Sequence, residues 1–170
     1  MGRVGSLDMY RIIVKIIILG LILLLNTGCT SNNDRMDSTN VPGKYNYEDA
    51  VKNGDVVDLH GKMINTDKLN NFVDNVDKGH QDKVRITRYT IEGDPILYTL
   101  EYNGKIINYT VDTSRDAFGG TGKGIRSYQY SKAWKEDKQI ELGEGRTVAG
   151  IAYILGNDEG DKTEVIIIRK

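Results

Sequence analysis

The chain has 170 residues, 23 of them Lys or Arg and 24 Asp or Glu, for a formal net charge of −1. That balance lacks the basic face a nucleic-acid binder needs, so no nucleic acid is expected as a partner. With one cysteine, no internal disulfide can form, and any folded domain must rest on its hydrophobic core.

The N-terminus carries the clearest signal. Arg11 and Lys15 form a short basic flank, residues 16–25 an uninterrupted apolar run of ten, and Gly28 a small residue before Cys29. This is the layout of a secretory signal peptide; a membrane-spanning helix needs about twenty apolar residues. Met9 offers a tidier start than Met1. Residues 25–29 (Leu-Asn-Thr-Gly-Cys) resemble a bacterial lipobox, with Asn26 departing from the usual aliphatic residue. The expectation is a signal peptide over 1–28 and lipidation at Cys29, the membrane partner being reached through that lipid. The alternative is an ordinary signal peptide with a chance cysteine. Removing the leader with Arg3, Arg11, Lys15 and Asp8 leaves 20 basic against 23 acidic residues, so the lipid rather than charge must hold the membrane.

Residues 29–44 are polar, without apolar period, and read as a disordered tether. A single globular domain is expected over 45–170. Asn46 caps a short helix over 47–53, with Asp49 at the capping-box position and Gly54 as terminator. Residues 56–59 are a short apolar run, strand or further helical turn. Thr66 is expected to cap a second helix that stops before Gly79, with Leu69, Phe72, Val73 and Val76 as one apolar stripe.

From residue 83 the period changes to two. Residues 84–91 read as a strand, and Asn103-Gly104 as a type I′ turn joining strands over 96–102 and 105–111. That register sets Leu100 opposite Ile107 and Tyr98 opposite Tyr109. Residues 112–124 form a glycine-rich loop, and 125–134 a strand with Tyr128, Tyr130 and Trp134 on one side. Residues 135–138 read as a charged turn, 139–142 as a short strand and 143–146 as a turn. Strands over 148–155 and 164–169 close the chain, with 165–168 placed centrally because polar alternation is missing. The class is α+β: two N-terminal helices on a mainly antiparallel sheet of five to seven strands.

Several motifs invite chemistry. Residues 119–124 suggest a phosphate loop, but position 117 is Ala, position 124 is Gly, and a strand follows, so an inter-strand loop is favoured. His60 and His80 lack metal-ligand spacing. Residues 157–161 are acidic but miss the EF-hand order. No cofactor, no metal and no catalytic group is therefore expected. Ten tyrosines against two phenylalanines single out Tyr128, Tyr130 and Trp134 as a candidate binding face for glycan or peptide, against the alternative of an ordinary covered sheet face.

Residues 48–57, 60–62, 83–87, 90–96 and 102–105 together resemble a family of small Gram-positive lipoproteins classed as a domain of unknown function, numbered 4362. The likeness runs to about residue 120 and implies location and a shared fold; it carries no activity. The cysteine pair that members often carry in the C-terminal half is missing here. The leading expectation is a non-enzymatic lipoprotein on the extracytoplasmic face of the cell membrane, binding an envelope component or protein partner. The alternatives are a small envelope hydrolase using carboxylates of the 112–116 loop, and an inhibitor or immunity-type protein presenting an edge strand or loop.

Overall fold

The computed structural model describes residues 45–170; the expected leader over 1–28, Cys29 and the tether over 29–44 lie outside the described residues. Helix α1 (Tyr47–Lys52), strands β1 (Val56–Leu59) and β2 (Lys62–Ile64), and helix α2 (Asp67–Asp77) come first. Seven strands follow: β3 (Asp82–Tyr89), β4 (Pro95–Tyr102), β5 (Ile107–Asp112), β6 (Ile125–Tyr130), β7 (Lys132–Gly143), β8 (Arg146–Gly156) and β9 (Lys162–Arg169). The expected α+β class holds.

The strands divide between two sheets. One has six strands in the order β2-β1-β3-β4-β5-β6, mixed because β1 runs parallel to β3; the other is antiparallel, β7-β8-β9. The division falls at Ser131. Its amide meets the Gly156 carbonyl at 3.1 Å and Asn157 Oδ1 at 2.9 Å, and the chain leaves the first sheet there for the second.

Both helices form where the sequence places them, for partly different reasons. Asn46 Oδ1 accepts the Asp49 amide at 2.8 Å, an N-cap that satisfies one free donor of the first turn. Thr66 makes no side-chain cap; it is already helical, and the turn is entered through Asn65 at φ 59, whose amide group donates to the Asp55 carbonyl. At the far end Gly79 has φ 70, its amide bonds to Val76 and that of His80 to Asn75, a Schellman stop.

Each helix covers one face of the six-stranded sheet. Leu69, Phe72 and Val76 of α2 join Val56, Val84, Ile86, Leu100 and Ile107, together with Tyr153, Leu155, Val165 and Ile166 of the second sheet. Ala50 of α1 and Tyr45 join Val57, Tyr89 and Leu97 on the opposite face. That second covering explains why β3 is buried on both sides and shows little alternation.

Three expectations are corrected. Leu100 faces Tyr109 and Tyr102 faces Ile107, two residues off the expected register, which keeps every side chain on its face. A type I′ turn needs positive φ at both central residues, and here only Gly104 has it. Asn103 Oδ1 instead accepts the amides of Lys105 and Ile106, stretching the turn to four residues. Paired positive φ values occur at His60-Gly61 and Glu144-Gly145, which close the β1–β2 and β7–β8 hairpins. Residues 135–138 are not a turn but the middle of β7, an edge strand whose charges suit its position. Residues 165–168 lie in β9, also an edge: Tyr153 pairs with Ile166 and Ile154 with Glu164, so Val165 is an extra residue in a bulge, which accounts for the missing alternation.

Candidate functional site

Tyr128 and Tyr130 lie on one face of β6, but Trp134 does not join them. The chain has changed sheets at Ser131, and Trp134 belongs to β7. Its ring covers Gly156, where a Cβ would stand 2.7 Å from Cη2, and its Nε1 donates to Glu136 Oε1 at 2.8 Å. Gly156 is bare because the indole needs that space.

Tyr128 has other neighbours. Its ring lies 6.1 Å from that of Tyr109, which stacks on Tyr98 at 6.4 Å and 14°. The Arg88 guanidinium sits 5.6 Å from the Tyr98 centroid and pairs with Asp58 at 2.9 Å. A row Asp58–Arg88–Tyr98–Tyr109–Tyr128 thus crosses five strands of the first sheet. Tyr109 is its buried foundation: burial, then the adjoining tyrosines, push its hydroxyl well above the ordinary phenol range. Tyr128 is the exposed end.

Beside Tyr128 is a cleft of about 300 Å³, lined by Tyr128, Gln129, Tyr130, Asn157, Asp161, Lys162 and Thr163. The edge of β6 forms one wall and the β8–β9 turn the other. Asn157 fastens them, donating to the Gln129 carbonyl at 3.3 Å while accepting from the Ser131 amide, and the Tyr130 hydroxyl bonds to Thr163. The acidic 157–161 turn therefore serves as a wall of the cleft.

On the opposite face the sequence reading missed a buried charge network. Asp55 is 0% exposed and Arg85 3%. Arg85 Nε donates to Asp55 Oδ2 at 2.9 Å, Thr87 Oγ1 to the same oxygen at 2.6 Å, and the Tyr45 hydroxyl at 2.9 Å. Arg85 Nη2 lies 2.8 Å from Oδ1 but is aimed at Tyr45, so Oδ1 takes a charge contact without a directed hydrogen bond. The available signal is Arg85 and Thr87 at period two inside an apolar strand, both facing whatever pairs beside them.

A family model described as a domain of unknown function (DUF4362) matches residues 53–142. The chain belongs to this family. The matched stretch contains Asp55, Arg85 and the whole tyrosine row, and ends before β8 and β9. No curated protein and no solved structure matches.

In this DUF4362 chain the acidic loop after β5 is engaged internally. Asp112 accepts the Ser114 amide at 2.9 Å and pairs with Arg115; Asp116 accepts the Phe118 amide at 3.0 Å. Burial pushes the Asp112 carboxyl up, but the bonds from Ser114 and Arg115 outweigh it and hold it below its ordinary value. A folded-state pKa below the unfolded value of about 3.9 stabilises the protein above that pH, and the contribution is lost as pH falls through the folded pKa. Asp112→Asn is therefore expected to lower stability at neutral pH and to flatten its decline below about pH 4, read from thermal melts across the acid range.

His60 occupies the left-handed position of the β1–β2 turn, and His80 completes the Schellman stop. Residues 119–124 belong to the β5–β6 loop, with a 3₁₀ turn at Gly120–Gly122; Thr113 and Gly124 close its base. Among the described residues no three His, Cys, Asp or Glu converge as metal ligands, and no helix is long and apolar enough to cross a membrane.

Proposed function

We propose that this DUF4362 chain is a lipoprotein held on the extracytoplasmic face of a bacterial cell membrane through Cys29, with a non-enzymatic domain that binds an envelope glycan in the cleft beside β6. The anchor rests on the basic flank, the ten-residue apolar run and the small residue before Cys29. The glycan rests on the cleft. One exposed aromatic face, Tyr128, stands beside amide, carboxylate, ammonium and hydroxyl groups, and no large aliphatic side chain lines the space. A sugar ring presents an apolar face for stacking and a rim of hydroxyls for hydrogen bonds, and these groups match both. A peptide side chain would ask for an apolar pocket.

The test is titration of soluble cell-wall glycan fragments against the protein by calorimetry. Saturable binding is expected, weakened several-fold to about tenfold in Tyr128→Ala, since a stacked aromatic contact contributes about 0.5–1.5 kcal/mol beyond the area it buries. Tyr128 is 45% exposed and rests on Tyr109, so the melting temperature should fall by no more than a few degrees and the variant should stay folded. Equal binding by wild type and variant, or none to any wall fragment, would remove the glycan reading.

A further inference from the structure

Large apolar side chains that stand mostly in solvent gather at one end of the first sheet. Ile91 is 90% exposed, Phe118 75% and Ile125 67%; the remaining exposed large hydrophobic residues among those described lie at 45% or below. Ile91 is in the turn after β3, Phe118 in the loop after β5, and Ile125 opens β6 opposite Asp112. The two loops are joined, since the Ala117 amide donates to Asp94 Oδ2 at 2.7 Å. Isolated exposed apolar residues are ordinary; three of them, the most exposed in the domain, on adjoining loops are not.

The start of the domain lies at the same end. Tyr45, its first described residue, has its carbonyl held by the Tyr89 hydroxyl at 2.9 Å, and Tyr89 is the last residue of β3, two before Ile91. The 16 residues from Cys29 to Tyr45 span about 55 Å even when fully extended. A domain of this size has a radius of gyration of about 14 Å. An acylated Cys29 would therefore keep the domain within about two diameters of the bilayer, and Tyr45, the first described residue, lies beside the apolar loops.

We propose that this end seats on the lipid surface, with Ile91, Phe118 and Ile125 entering the interfacial layer. The proposal rests on the lipid-anchor part of the function proposed above and on nothing about glycan. Three carboxylates at this end accept hydrogen bonds within it, Asp94 from Ala117, Asp116 from Phe118 and Asp112 from Ser114, and Asp112 also pairs with Arg115. Seating is driven by apolar burial, so on a zwitterionic lipid surface it is expected to vary little with salt. It also orients the molecule, because the cleft lining begins at Tyr128, three residues or about 10 Å along β6 from Ile125, and continues to the strand's other end at Tyr130.

The experiment uses the full acylated protein in phosphatidylcholine vesicles with and without brominated lipid. Trp134 is the chain's one tryptophan and lies on the second sheet, so wild type reports the background. Phe118→Trp and Ile91→Trp should each show their added emission fall about twofold in brominated vesicles, as insertion of ~5–10 Å produces, at low and high salt alike. Gln129→Trp, at the cleft end, should not. If both loop variants bind vesicles while their added emission stays unquenched, the seating is overturned, the anchor stands, and these loops are left to a protein partner. Protein that does not co-sediment with vesicles overturns both the anchor and the seating.

Discussion

Asp55→Ala is expected to destabilise the domain by about 3–5 kcal/mol, the cost of leaving one partner of a buried ion pair uncompensated. The carboxylate is wholly buried and takes contacts from Arg85, Thr87 and Tyr45 at once. Without it a guanidinium in the sheet interior keeps only the Tyr45 hydroxyl, and two hydroxyls lose their acceptor. Against a typical total of about 5–15 kcal/mol, that is about a fifth of the stability or more. The melting temperature should fall on the order of 10–20 °C, and the urea midpoint should move with little change in slope.

The double variant Asp55→Leu with Arg85→Met separates unpaired charge from simple loss of packing. Removing both charges and filling the space with apolar groups recovers most of the loss when desolvation dominates. A single variant within about 1 kcal/mol of wild type, or a double variant worse than the single, would contradict this account of the network. The network also carries the chain's entry into the fold: Tyr45 bonds to Asp55 and Arg85 through its hydroxyl and to Tyr89 through its carbonyl. Its loss should loosen α1 before the second sheet.

What was legible in the sequence is what local chemistry determines. The Asn46 cap, the Leu69–Phe72–Val76 stripe, the Gly79 stop and the turn at Glu144-Gly145 each depend on residues a few positions apart, and each is found. What was not legible depends on partners far along the chain. Nothing inside 125–134 announces a break; Ser131 is turned by groups at Gly156 and Asn157. The slip at Asn103 comes from one side-chain oxygen outcompeting the expected turn. Asp55 and Arg85 are 30 residues apart and meet only because β1 lies parallel to β3, a pairing no hairpin signal reports.

The candidate site divides the same way. Tyr98 and Tyr109 were legible on one face of the β4–β5 hairpin, and Tyr128 with Tyr130 on one face of β6. That Tyr109 and Tyr128 are cross-strand partners required the β5–β6 pairing across a twelve-residue loop. The cleft needed the second sheet as well, since Asn157 to Thr163 supply its other wall.

Cys29→Ser is expected to release the protein from the membrane. One acyl chain gives only marginal, reversible attachment, and two at about 0.8 kcal/mol per buried CH₂ give a stable one, so losing the thiol removes the whole anchor. The 20 basic and 23 acidic residues left after the leader offer no electrostatic substitute on an anionic surface. The variant should move from the membrane pellet to the soluble fraction with its fold unchanged. The most direct test is intact-mass and N-terminal mass spectrometry of the protein taken from its own membranes. The predicted result is a chain that begins at Cys29 and carries a diacylglyceryl group on the sulfur. A free thiol at Cys29, on a chain still starting at Met1 or Met9 in the cytosol, would contradict it.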